Sequence, residues 1–131
     1  MSYLTKYAGR RPTFGLVSGG RNRGARVDER VLLNLPGFHG GAYVRVFVED
    51  TSAKRVKRGT PPEPRVRLRI ADCDDEISLW FEVDSPQARR NSLHKIDTLL
   101  GALHRFRDAL AAEADLYATR SSRKEEPSCR I

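Results

Sequence analysis

The sequence has little of what most catalytic or membrane-embedded chains are built from. Its 131 residues include two cysteines, Cys73 and Cys129, far apart and in different contexts, which gives neither a disulfide framework nor the close spacing of metal ligands. Cys73 reads as a buried strand or turn thiol, Cys129 as a loose tail residue. No run of about 18 apolar residues is present, and the N-terminus lacks the apolar stretch and cleavage site of a secretory signal. The expectation is a soluble, cytoplasmic chain with no membrane partner. Histidine is scarce: His39 sits in a glycine-rich turn, while His94 and His104 are ten apart, about 15 Å along a helix, too far to share a metal. His94 with Asp97 and His104 with Asp108 have the spacing of ordinary helix-surface pairs. No serine or cysteine has a recognisable nucleophile context. The chain is expected to be no enzyme and to use no cofactor or metal.

Two further motifs are absent. Asp72, Asp74, Asp75 and Glu76 lack the oxygen spacing and glycine of a calcium loop, so they read as a hairpin turn with solvated carboxylates. The glycines of Ser18–Gly24 follow no strong strand and precede no helix, which rules out a dinucleotide or phosphate-loop fingerprint.

Segregated charge is what the chain does have. Residues 1–30 carry seven Lys/Arg against Asp28 and Glu29, and residues 51–69 carry seven more against Glu63 alone. Residues 70–84 then carry six carboxylates and no base. On a chain of net charge +7, basic stretches rich in Gly and Arg indicate a surface for a polyanion.

The length suits one domain with mobile ends. Residues 1–29 read as a flexible basic Gly/Arg arm, with one short strand at Thr13–Ser18, because scattered apolar residues without a period cannot offset the cost of ordering. Residues 30–119 read as a single α+β domain. Val31, Leu33 and Leu35 alternate until Pro36-Gly37 stops a first strand; Ala42–Asp50, β-branched and aromatic, makes its antiparallel partner. Arg65–Ile70 alternates strictly, with Val66, Leu68 and Ile70 on one face and three guanidiniums on the other. Asp74-Asp75 turns the chain into Ile77–Val83. Residues 51–64 form a long basic loop.

Ser85-Pro86 is an N-cap followed by proline at the first helical position. Leu93, Ile96, Leu99, Leu100, Leu103, Phe106, Leu110, Ala114 and Tyr117 then recur at spacings of mostly three and four, predicting a helix over 86–119. Such a helix, roughly 50 Å long, exceeds what strands of five to seven residues cover. The surplus stripe implies a homodimer or higher oligomer through Leu99, Leu103, Phe106, Leu110 and Tyr117. Residues 120–131 read as a disordered tail.

Two resemblances follow from these tracts. Leu33–Arg45, Asn91–Leu100 and the high arginine content resemble short uncharacterised proteins encoded by actinobacterial phages, over roughly residues 30–118; this implies a source, with the host cytoplasm as location, and no activity. A four-stranded sheet followed by one long helix is similar to the positive-cofactor-four and Whirly families of single-stranded-DNA-binding proteins. In the former a strand reading like Ile77-Ser78-Leu79 leads into the helix, and dimers bind DNA with curved sheets. The chain departs from that pattern at Asp74, Asp75 and Glu76, where the family tends to place basic and glycine residues.

The favoured reading is a nucleic-acid-binding protein of low base specificity. Arg21, Arg23, Arg26, Arg45, Lys54, Arg55, Lys57, Arg58, Arg65, Arg67 and Arg69 would neutralise phosphates. Core packing is the expectation for Tyr43, Phe47 and Trp80, since strand aromatics more often fill cores; pointing outward, they would stack on bases. The alternative is a small phage-encoded module that binds an acidic host protein through helix or arm. A third reading is a virion or assembly component.

Overall fold

The computed structural model describes residues 24–125. The expected strand at Thr13–Ser18, Arg21, Arg23 and the end of the tail lie outside them. Four strands, β1 (Ala25–Leu32), β2 (Ala42–Glu49), β3 (Val66–Asp72) and β4 (Asp75–Leu79), precede one helix, α1 (Pro86–Glu125). The strands form a single antiparallel sheet in the order β1-β2-β3-β4. The fold class is the α+β arrangement expected from the sequence.

Register follows from hydrophobic alternation, because a slip of one residue would turn every apolar side chain to the other face. Val31, Val44, Ile70 and Ile77 stand in one row across the sheet, and Val27, Val48 and Val66 in another. Both edges are blunted against pairing with other chains. β1 carries a bulge between Ala25 and Val27 and sets Glu29 in the row of Val46, Leu68 and Leu79; β4 has only five residues.

Element boundaries differ from expectation in three places. β1 starts at Ala25, inside the stretch read as a flexible arm, because β2 offers paired backbone as far as Glu49. The bulge at Arg26 hides that start by breaking the period of two. The strand also ends earlier: Leu33 makes the last rung, its N–H donating to Ala42 O at 2.9 Å. Pro36-Gly37 then forms a turn closed by Phe38 N–H to Leu35 O at 3.1 Å, with Gly37 at φ +95°, as a type II turn requires.

Between β3 and β4 the turn is Cys73-Asp74, one residue ahead of the predicted Asp74-Asp75. β4 is therefore complete at Leu79, and Trp80, Phe81 and Val83 follow it. Cys73 sits in the turn at φ +54° and is exposed, which corrects the buried thiol. The helix continues through residues 120–125, read earlier as tail, since the polar segment after Thr119 contains no glycine or proline before Pro127 to stop it.

The chain divides into two compact units, a sheet unit ending at Ser92 and a helical unit beginning at Leu93. The first helical turns belong to the sheet unit. Ser85 Oγ accepts from Ala88 N–H at 3.0 Å, the expected N-cap. Ser92 Oγ donates to Glu82 O at 2.6 Å and the Arg89 guanidinium to Val83 O at 3.0 Å, so the connector after β4 is tied to the helix start. In the helical unit, His104 pairs with Asp108 at 3.4 Å as predicted, while His94 contacts Thr98 at 3.4 Å instead of Asp97. Leu93, Leu100, Leu103, Phe106, Leu110 and Tyr117 are all exposed in the single chain, Phe106 by 66 %. Leu99 is half-buried. Among the described residues only Ala42 and Ala71 are buried hydrophobics.

Candidate functional site

Successive strand residues point to opposite sides of a sheet, so the register that collects the valines on one face collects a different set on the other. Arg30, Arg45 and Arg69 are directly opposed across β1, β2 and β3. One step along, Asp28, Phe47 and Arg67 form the next row; on the other side stand Leu32, Tyr43, Ala71 and Glu76. Arg65 continues the pattern beside Glu49, whose N–H donates to Arg65 O at 2.9 Å. The face therefore presents five arginines, two aromatic rings and three carboxylates.

Tyr43 and Phe47 belong to this charged face and not to the apolar one, which overturns the expectation that they fill the core. The cause lies in the period of β2, where Tyr43, Arg45, Phe47 and Glu49 alternate with Val44, Val46 and Val48. The arginines lie against the rings: the Arg30 guanidinium is 4.1 Å from the Tyr43 centroid and that of Arg65 is 5.5 Å from the centroid of Phe47, both within cation–π range. Trp80, just past β4, is 80 % exposed.

The carboxylates organise the guanidiniums. Glu49 is 5 % exposed and accepts from both Lys54 Nζ and Arg65 Nε. Those two hydrogen bonds, that from Lys54 first, hold its carboxyl below the usual glutamate range against the opposing effect of burial. Glu49 thereby fastens the start of the basic loop and the start of β3 to the end of β2. Glu76 accepts from the Tyr43 hydroxyl at 3.3 Å and lies 2.9 Å from Arg69 Nε, off the direction of the N–H, so that pair is a charge contact without a directed hydrogen bond. The acidic turn thus engages its own sheet. Arg45 and Arg67 are exposed and have no ion pair with another described residue.

Of the other sequence candidates, Arg26 occupies the bulge of β1, 3.4 Å from Asp50. Asp50 is held below the usual aspartate range chiefly by the Ser52 side chain and next by the hydrogen bond from Ser52 N–H at 2.9 Å, with Arg26 adding to the effect. Arg58 and Gly59 adopt φ of +52° and +74° in a tight turn between the bridged residues Lys57 and Thr60, the geometry of a type I′ turn. Lys54, Arg55 and Lys57 line a hollow floored by Thr60, Pro61 and Pro62. Arg45, Arg65, Arg67 and Arg69 therefore share one face, reached by Lys54; Arg55, Lys57 and Arg58 stand on the adjoining loop.

Sequence reasoning missed Arg30, which it left out of the phosphate-binding set, and placed the aromatics on the wrong face. It also missed a cluster at the β3–β4 end, where His39, Asp72 and Cys73 bring three donor atoms within 4.8 Å of one another. The alternation of β2 carried the first signal; nothing in the spacing carried the last, since His39 and Cys73 are joined only by strand pairing. No known protein family, curated protein or solved structure matches this chain.

Proposed function

We propose that this protein binds single-stranded nucleic acid, without base specificity, on the arginine-bearing face of its sheet. The observation that carries the reading is the row Arg30–Arg45–Arg69 flanked on the same face by Tyr43 and Phe47. Guanidiniums neutralise phosphates at any sequence, and guanidinium planes together with aromatic rings, here the half-buried Tyr43 and Phe47, stack on unpaired bases. A duplex hides those bases, which favours single strands. Arg67 adds to the positive charge of the face, and the loop residues Arg55, Lys57 and Arg58 extend the positive surface beyond it. No helix among the described residues is long and apolar enough to cross a membrane, so the apolar stripe of α1 is read as a contact with a second copy of the chain. Forty residues of helix extend about 60 Å with Leu100, Leu103, Phe106 and Leu110 exposed in the single chain.

Fluorescence anisotropy with labelled oligo-dT, duplex DNA and RNA at two salt concentrations tests the first statement. Tightest binding to a single strand, weakening steeply with salt, is expected. If nothing binds more tightly than roughly 100 µM at physiological salt, the weak end of non-specific association, the reading falls and a module for an acidic protein partner replaces it. Light scattering tests the second: the wild type should exceed monomer mass, and Leu103→Asp with Phe106→Asp should return it to monomer. A wild-type monomer at tens of micromolar would refute self-association.

A further inference from the structure

We propose that His39, Asp72 and Cys73 form a zinc-binding site that clamps the β1–β2 connection to the β3–β4 turn. The inference is independent of the nucleic-acid reading. An imidazole nitrogen, a carboxylate oxygen and a thiol sulfur meet within 4.8 Å, and this mixture of borderline and soft donors suits zinc better than the oxygen-seeking calcium or magnesium. Cys73 Sγ lies 3.8 Å from His39 Nδ1 and 3.9 Å from Nε2. A tetrahedral ion at ordinary Zn–S and Zn–N bond lengths separates sulfur from nitrogen by about 3.6 Å, so the pair needs to close by only a few tenths of an ångström. Either ring nitrogen is near enough to be the ligand; Nδ1 accepts from Gly41 N–H at 3.3 Å, a bond that coordination through Nδ1 would replace.

The backbone holds the donors in place. Asp72 is the last paired residue of β3, opposite Ala42 and Asp75. Cys73 N–H donates to Gly41 O at 3.0 Å, bringing the turn onto the loop that carries His39. Asn34 Nδ2 donates to His39 O at 3.0 Å, which ties the backbone of the histidine to the end of the first strand. All three ligands are exposed, so the ion enters without opening the fold, and solvent supplies the fourth position, as in open three-ligand zinc sites. Binding exchanges the thiol proton for a Zn–S bond and releases that proton to water.

Cobalt(II) serves as the spectroscopic probe, titrated into the full chain under reducing conditions and displaced with zinc. A thiolate-to-cobalt absorption saturating at one ion per chain is expected in the wild type and in Cys129→Ser. It should vanish in Cys73→Ser, and affinity should fall at least about tenfold in His39→Ala and Asp72→Asn. An unchanged band in Cys73→Ser, or no saturable binding in the wild type below roughly 100 µM, overturns the proposal. A second measurement needs no variant: zinc should slow alkylation of Cys73 and leave that of Cys129 unchanged, read by peptide mass spectrometry. Equal labelling of Cys73 with and without zinc also overturns it.

Discussion

The two faces of the sheet are made by the same strands, yet they do opposite work. On one, valine, leucine and isoleucine stand opposite each other in rows across the strands; on the other, Arg30, Arg45 and Arg69 do. The first set is half-buried apart from the exposed Ile77, and its partial burial favours forming the sheet. The second set contributes less, because surface ion pairs are worth at most about 1 kcal/mol and the contact of the half-buried Arg69 with Glu76 lacks a directed hydrogen bond. Cross-strand like charges oppose pairing, so a row of three arginines is a local cost that folding alone does not explain. Such a cost is expected where a surface is shaped by what it binds.

Neighbouring residues of β2 give the sharpest way to break this comparison. Val46→Gln should destabilise the protein by about 1–3 kcal/mol, the cost of setting an amide among apolar side chains, whereas Arg45→Gln should move it by less than about 0.5 kcal/mol. Thermal melts followed by circular dichroism measure both, and equal losses would mean that the faces are not distinct.

The function assigned to the charged face is tested next by replacing Arg30, Arg45 and Arg67 together with Gln. Folding should survive, while the log–log dependence of single-strand affinity on salt should flatten by about 2, at roughly 0.7 per phosphate contact. An unchanged slope would remove these residues from the interface. Tyr43→Leu and Phe47→Leu should each weaken single-strand binding by about 1–3 kcal/mol, the usual worth of a stacked base, and leave the salt slope as it was. Retained affinity would mean that the rings serve only to support Arg30 and Arg65.

The smallest expected effect concerns Glu49. Its carboxyl titrates below the ordinary value of 4.5, so the folded state favours the charged form. The resulting stability is present above that value and is lost as pH falls through the lower folded value. Wild type should therefore melt above Glu49→Gln near neutral pH, with the gap narrowing once pH drops below 4.5. A gap independent of pH would mean that Glu49 acts through shape alone.

Much of this was legible in the chain. The strict alternation of Arg65–Ile70, the Ser85-Pro86 start and the stripe of α1 are local patterns, and local patterns report local structure. The Pro36-Gly37 turn is legible for the same reason. The start of β1 was not, because a bulge at Arg26 interrupts the period from which strands are read. Helix length was underestimated because a polar segment without breakers looks the same in sequence whether it frays or continues.

What the sequence alone determined is the kind of chain: one antiparallel sheet and one long helix, with basic and acidic stretches kept apart. Period and charge are properties of neighbours along the backbone. Which strand lies opposite which residue, by contrast, depends on pairing across tens of residues. That pairing put Arg30 in line with Arg45 and Arg69, turned Tyr43 and Phe47 toward them, and carried Cys73 to His39. Those juxtapositions exist only once hydrogen bonds between strands have set the register, so only the tertiary structure decided them.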